Sequence, residues 1–129
     1  MRKGVVAGLF YGAVLLGAPL TAAYSQWTPG SELVGQSVQV ETNGIVNTVY
    51  FDPGGAARIV TPAGSVVQGT WAAAGGQLCL QTGTGRECWP YSTAFQAGQQ
   101  VTLTSSCQVA SRWTPLSTNP VQARGGERG

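Results

Sequence analysis

A chain of 129 residues with 43% hydrophobic and only 9% charged residues has room for one folded domain with one modest core. It contains no histidine, so the usual general base and commonest metal ligand near neutral pH is missing. The net charge of +2 rests on Arg2 and Lys3; without them five arginines face five carboxylates, leaving no basic surface to neutralise phosphates and arguing against a nucleic-acid partner.

Those two cations open the chain and are followed by an apolar run over residues 5–16, then Gly17, Ala18 and helix-breaking Pro19. This is the layout of a cleavable secretory signal, and the small residues Ala23 and Ser25 place cleavage before Gln26, with a second site before Tyr24. The apolar run is shorter than the roughly 20 residues a bilayer-spanning helix needs. No cysteine near the cleavage region offers a point for lipid attachment. The expectation is residues 1–25 as signal peptide, 26–113 as a single β domain and 114–129 as a flexible C-terminal tail, in a periplasmic or secreted protein with no stable membrane anchor after cleavage.

Beyond residue 26 no long stretch repeats apolar residues at helical spacing. Short β-branched and aromatic runs predict strands at 36–41, 45–51, 56–61, 65–71, 77–81, 86–91, 100–104 and 107–113. Glycine, proline, asparagine and aspartate separate them, as in Thr42-Asn43-Gly44 and Asp52-Pro53-Gly54-Gly55, and supply the φ angles of tight turns. Such short connections make neighbouring strands antiparallel. The fold class expected is all-β: an up-and-down meander of about eight strands, closed or half-open as a small barrel, with a two-sheet sandwich as the alternative. Alternation points Val38, Val49, Phe51, Leu78, Trp89 and Trp113 inward, and likewise Ile45, Val67, Trp71, Val101 and Val109. So many aromatic side chains would largely fill a barrel this small.

Cys79 and Cys88 flank Gly83-Thr84, which suits a type II′ hairpin turn. Counting outward, Thr82 faces Gly85 and Cys79 faces Cys88 at a non-hydrogen-bonded position, where Cα atoms are close enough for a cross-strand disulfide. Both would point away from Leu78, Leu80 and Trp89. Cys107 shares its face with Val109 and Trp113, which reads most simply as a buried free thiol; a reactive thiol, or pairing with Cys79 or Cys88, stays open. Three cysteines without histidine do not show structural zinc spacing.

No catalytic constellation emerges. The residues that lysine or histidine chemistry would need are absent after the leader, and Asp52 sits in a turn where an Asx role is expected. Glu87 alternates onto the face of Leu80 and Trp89, so a tentative interior polar site would join it to Arg58 or Arg112; the plainer reading leaves Glu87 in solvent near the hairpin end. No catalytic residue, cofactor or metal is assigned.

The order Gly69-Thr70-Trp71, Leu78-Cys79-Leu80 and Cys88-Trp89 resembles small exported proteobacterial β domains of uncharacterised function, over roughly residues 33–113. The resemblance implies an exported, lipocalin-like β protein without an assigned activity. A Gly-x-Trp also marks the first strand of true lipocalins, whereas here it falls on the fourth. Trp71 is read as a core plug beside Gly69, which lets backbone and indole approach. These readings favour a non-enzymatic binding or inhibitor-like module whose partner is an unknown protein or a small apolar ligand. Its contact surface would be the loops 52–55, 83–85 and 93–99, with Tyr50 facing outward. The alternative is an envelope structural or stress-associated protein whose β surface associates with itself or with another envelope component, marked by a long unpaired edge strand with few charges.

Overall fold

Turn chemistry divides the chain into strands, and the structure, a computed structural model, describes residues 27–121. The expected leader and residues 122–129 lie outside the described residues. Eight strands follow: β1 (Gln36–Thr42), β2 (Ile45–Phe51), β3 (Ala56–Val60), β4 (Val66–Ala74), β5 (Gln77–Thr82), β6 (Gly85–Pro90), β7 (Val101–Thr104) and β8 (Ala110–Pro115). Asn43 (φ 52°) and Gly44 (φ 84°) turn β1 into β2 through two successive positive-φ residues, as a type I′ hairpin requires. At the β5–β6 turn the expected II′ geometry is not adopted, because Gly83 is not among the positive-φ glycines. The Thr82 hydroxyl instead accepts a bond from the Thr84 N–H at 3.3 Å, and the register Thr82↔Gly85 is as expected.

All pairings are antiparallel within one sheet of order β6-β5-β4-β3-β2-β1-β8-β7, which decides against the sandwich. The sheet curls into a nearly closed barrel, and its end strands β6 and β7 meet at a seam without a ladder. Two bonds cross to the β7–β8 loop: Ser106 N–H donates to the Cys88 carbonyl at 2.8 Å, and Cys88 N–H donates to Ser106 Oγ at 3.1 Å. They fall on Cys88 because that residue is at a non-hydrogen-bonded position towards β5, so its backbone groups face the seam.

Inward alternation fills the core with Val38, Val49, Phe51, Leu78, Trp89 and Trp113. Three residues expected inside are instead exposed: Ile45 (56%), Val67 (41%) and Val101 (37%). Each lies at or next to the first position of its strand, where the inner face has run out to the barrel's end. Cys79 and Cys88, on the opposite face, are only 7% exposed.

Two glycines are dictated by close approach. A Cβ on Gly69 would stand 2.3 Å from the Gln81 carbonyl oxygen, so β4 and β5 pack at this distance only without one. Gly30 (φ +91°) lies beneath Trp71, whose ring would be 2.9 Å from an added Cβ. The glycine under the indole is thus Gly30, not Gly69.

Residues 114–119, expected to lie in a tail, are part of the fold. Thr114 and Pro115 belong to β8, and Leu116 N–H bonds to Ser37 O at 3.0 Å. Asn119 then fastens the chain to the turn before β1: its backbone N–H donates to Glu32 O at 2.9 Å and its Nδ2 to Val34 O at 2.8 Å. Polar side chains bonding to backbone leave no hydrophobic period, so this segment carries no strand signal beyond Trp113.

Candidate functional site

The up-and-down connectivity puts the β1–β2, β3–β4 and β5–β6 turns and the β7–β8 loop at one end of the barrel. The turn before β1, the Pro53–Gly55 turn and the loop after β6 lie at the other. This second end is plugged. Tyr91 stacks on Phe95 with ring centroids 5.3 Å apart, and Phe95 stacks on Trp113 at 5.6 Å. Phe51 meets Trp71 edge to face at 5.2 Å, and the Trp71 Nε1 donates to Asp52 O at 3.0 Å. Trp71 is therefore a plug, though a half-buried one. Phe95 turns inward from the loop at 93–99 to close this end, while Thr93 and residues 96–99 of that loop are exposed.

Within the plug Glu32 is fully buried. Its Oε2 accepts a bond from the Tyr91 hydroxyl at 2.5 Å and from the Phe95 N–H at 2.9 Å, while the Tyr91 oxygen accepts from the Gly30 N–H at 2.9 Å. Burial, reinforced by the adjacent carboxylate, pushes the Tyr91 hydroxyl far above the ordinary tyrosine range. Sequence reasoning had no signal for this cluster, because Glu32 and Tyr91 are 59 residues apart.

The opposite end is open and holds a cavity of about 560 Å³. Val40, Val49, Ile59 and Leu80 form its apolar wall, and Trp113, stacked on the plug, is its floor together with Trp89. The two indoles meet edge to face at 4.9 Å. Aromatic filling of the lumen, expected throughout, is thus confined to the plugged half. A smaller hollow of about 330 Å³ lies beside the seam between the loop after β6 and β7.

Polar residues make up about half of the cavity lining, with Asn43, Thr82, Thr84 and Arg86 at the rim turns. Thr42 and Ser111 share a hydrogen bond at 2.7 Å between their hydroxyls. Asn47 Oδ1, Trp89 Nε1 and Trp113 Nε1 are buried without a hydrogen-bond partner among the described residues. Glu87 is half-buried on the inner face, opposite Leu80, and no described side chain bonds or pairs with it.

The structure does not bring the three members of the expected interior site together. Arg58, paired in register with Tyr50, points outward and holds Asp52 through two bonds of 2.8 and 3.0 Å. Its guanidinium lies 4.5 Å over the Tyr50 ring and holds the Asp52 carboxyl below its usual range. Tyr50 does face outward. Arg112 also points outward and pairs with Glu41 at 2.7 Å. Glu87 lies on the inner face that alternation gives and not in solvent at the hairpin end, which the plainer reading expects; neither arginine joins it, since both have even numbers on strands whose odd positions face in.

The Cys79–Cys88 bridge is present, with Cα atoms 4.0 Å apart, and Arg86 Nη2 lies 3.4 Å from Cys79 Sγ on the same outer face. Cys107 is free but exposed, not buried. The strand predicted from residue 107 starts only at Ala110; before it, a loop closed by Ser105 N–H to Val109 O at 2.9 Å, with Gln108 at φ 65°, carries Cys107 to the cavity rim.

Among the described residues no cluster has the makings of a metal site, and no helix is long and apolar enough to cross a membrane. No protein family, curated protein or solved structure matches the chain.

Proposed function

We propose that the chain is an exported, non-catalytic binding protein that takes a small, largely apolar ligand into the open end of its barrel. One observation carries this reading: a lumen is sealed at one end by stacked rings and is hollow at the other, with an apolar floor and inner wall beneath a polar rim. The volume falls in the range of about 300–1,000 Å³ usual for small-molecule sites. The reading as non-catalytic rests on a wall with one carboxylate and no described nucleophile hydrogen-bonded to a base. Export is supported by the leader-like first 25 residues and by a disulfide that fits an oxidising compartment. The alternative, self-association through sheet edges, finds less support. The edge strands are six and four residues long, and β6 carries Arg86 and Glu87.

The test is titration with the neutral apolar dye N-phenyl-1-naphthylamine. Saturable one-to-one enhancement is expected, with energy transfer from the indoles of Trp89 and Trp113 in the cavity floor. Ile59→Trp, which fills the cavity from β3, should abolish it. Absence of saturable binding to the native protein, or undiminished binding to the folded variant, would sink the proposal.

A further inference from the structure

We infer that the ligand carries a protonated amine on its apolar body, received by Glu87 at the cavity wall; this deepens the proposed reading of the cavity and rests on it. The argument is one of charge inside against charge outside. The three described arginines all direct their guanidinium groups to the outer face: Arg58 to Asp52, Arg112 to Glu41 and Arg86 to Cys79 Sγ. Glu87 thus lies in the cavity wall outside every described ion pair, and its neighbour Arg86, which also lines the cavity, has its Nη2 at the Cys79 sulfur instead. A carboxylate half withdrawn from water gains most from a ligand group that brings both a positive charge and N–H donors.

Two further wall residues agree with that chemistry. Asn47 Oδ1 is a buried acceptor with no donor among the described residues, so an ammonium that displaces its side chain slightly supplies a bond there. Trp89 is two residues from Glu87 on the same face of β6 and lines the same cavity, so a cation held by the carboxylate would stand near its ring. An anionic ligand would meet Glu87 as a like charge, and the guanidinium of the rim residue Arg86 is held at the Cys79 sulfur. The indole N–H groups of Trp89 and Trp113 are neutral donors and do not discriminate between ligand charges.

Three probes with one alkyl tail separate the contributions: octylamine, octan-1-ol and octanoate, each titrated into the full protein by calorimetry at neutral pH. Octylamine should bind about tenfold tighter than the alcohol, and octanoate weakest, as a charge-assisted contact at a single carboxylate implies. Glu87→Gln should remove the amine's advantage and leave the alcohol unchanged, and Glu87→Lys should place octanoate first. If native protein binds amine and alcohol equally, or Glu87→Gln weakens both alike, the amine inference is overturned while the cavity reading survives. If none of the three binds, the cavity reading falls and takes the inference with it.

Discussion

At the scale of single residues, the most consequential contact is the one between Tyr91 and Glu32. Tyr91 sits between a carboxylate that takes its proton in a hydrogen bond and the Gly30 N–H, which bonds to its oxygen. Tyr91→Phe should cost about 1–3 kcal/mol in denaturant unfolding at pH 7, since buried polar groups lose a partner. The pH dependence follows from the raised pKa. An unfolded tyrosine ionises around its ordinary value of 10.0, whereas the buried one keeps its proton. Above that pH the unfolded state binds fewer protons than the folded state. Stability should then fall with rising pH, by about 1.4 kcal/mol per unit for one such group, and show no dependence from this group below it. Tyr91→Phe should flatten that alkaline slope; a slope unchanged in the variant would mean that other groups carry it. The sequence disclosed Tyr91 as an inward residue but not its partner. Glu32 registered there only as a charge, because its burial is decided by Asn119, Phe95 and Tyr91 closing around it from remote parts of the chain.

Among the elements, the eight strands were legible because Gly, Pro, Asn and Asp punctuate nearly every junction, and short turns leave neighbours little choice but to pair. The Cys79↔Cys88 register followed from counting out of a two-residue turn even though the turn type differed, since register depends on loop length here. Boundaries failed where pairing continues without a sequence signal: Ala72, Ala73 and Ala74 extend β4 only because Cys79, Leu78 and Gln77 pair with them. Period two also reveals a face and not a depth, which is why Ile45 and Val67 are exposed at the open end. The β4–β5 contact makes the sharpest prediction at this scale. Gly69→Ala should destabilise the protein by about 1–3 kcal/mol in thermal or urea unfolding, because the added methyl collides with backbone that cannot rotate away. Retention of full stability would show that β4 can move away from Gln81 without loss.

For the whole molecule, the division into a plugged and a hollow half was not legible, since it depends on which inward side chains find an opposite wall. Cys107 provides an independent probe of that division. As the free, exposed thiol at the cavity rim, it should be alkylated in the folded, unreduced protein, giving one adduct by intact mass and three after reduction and unfolding. Saturation with a cavity ligand should slow the first adduct; an unchanged rate would place the ligand elsewhere. The seam has a mechanical meaning of its own. A barrel laddered all the way round has a circumference fixed by its strand number and shear, and can change girth only by slipping register or unzipping a row of bonds. Here the circumference is interrupted between β6 and β7, and the two bonds between Cys88 and Ser106 act as a clasp. Girth is therefore the softest dimension of this barrel. Opening the seam would break these two bonds and leave every strand ladder intact.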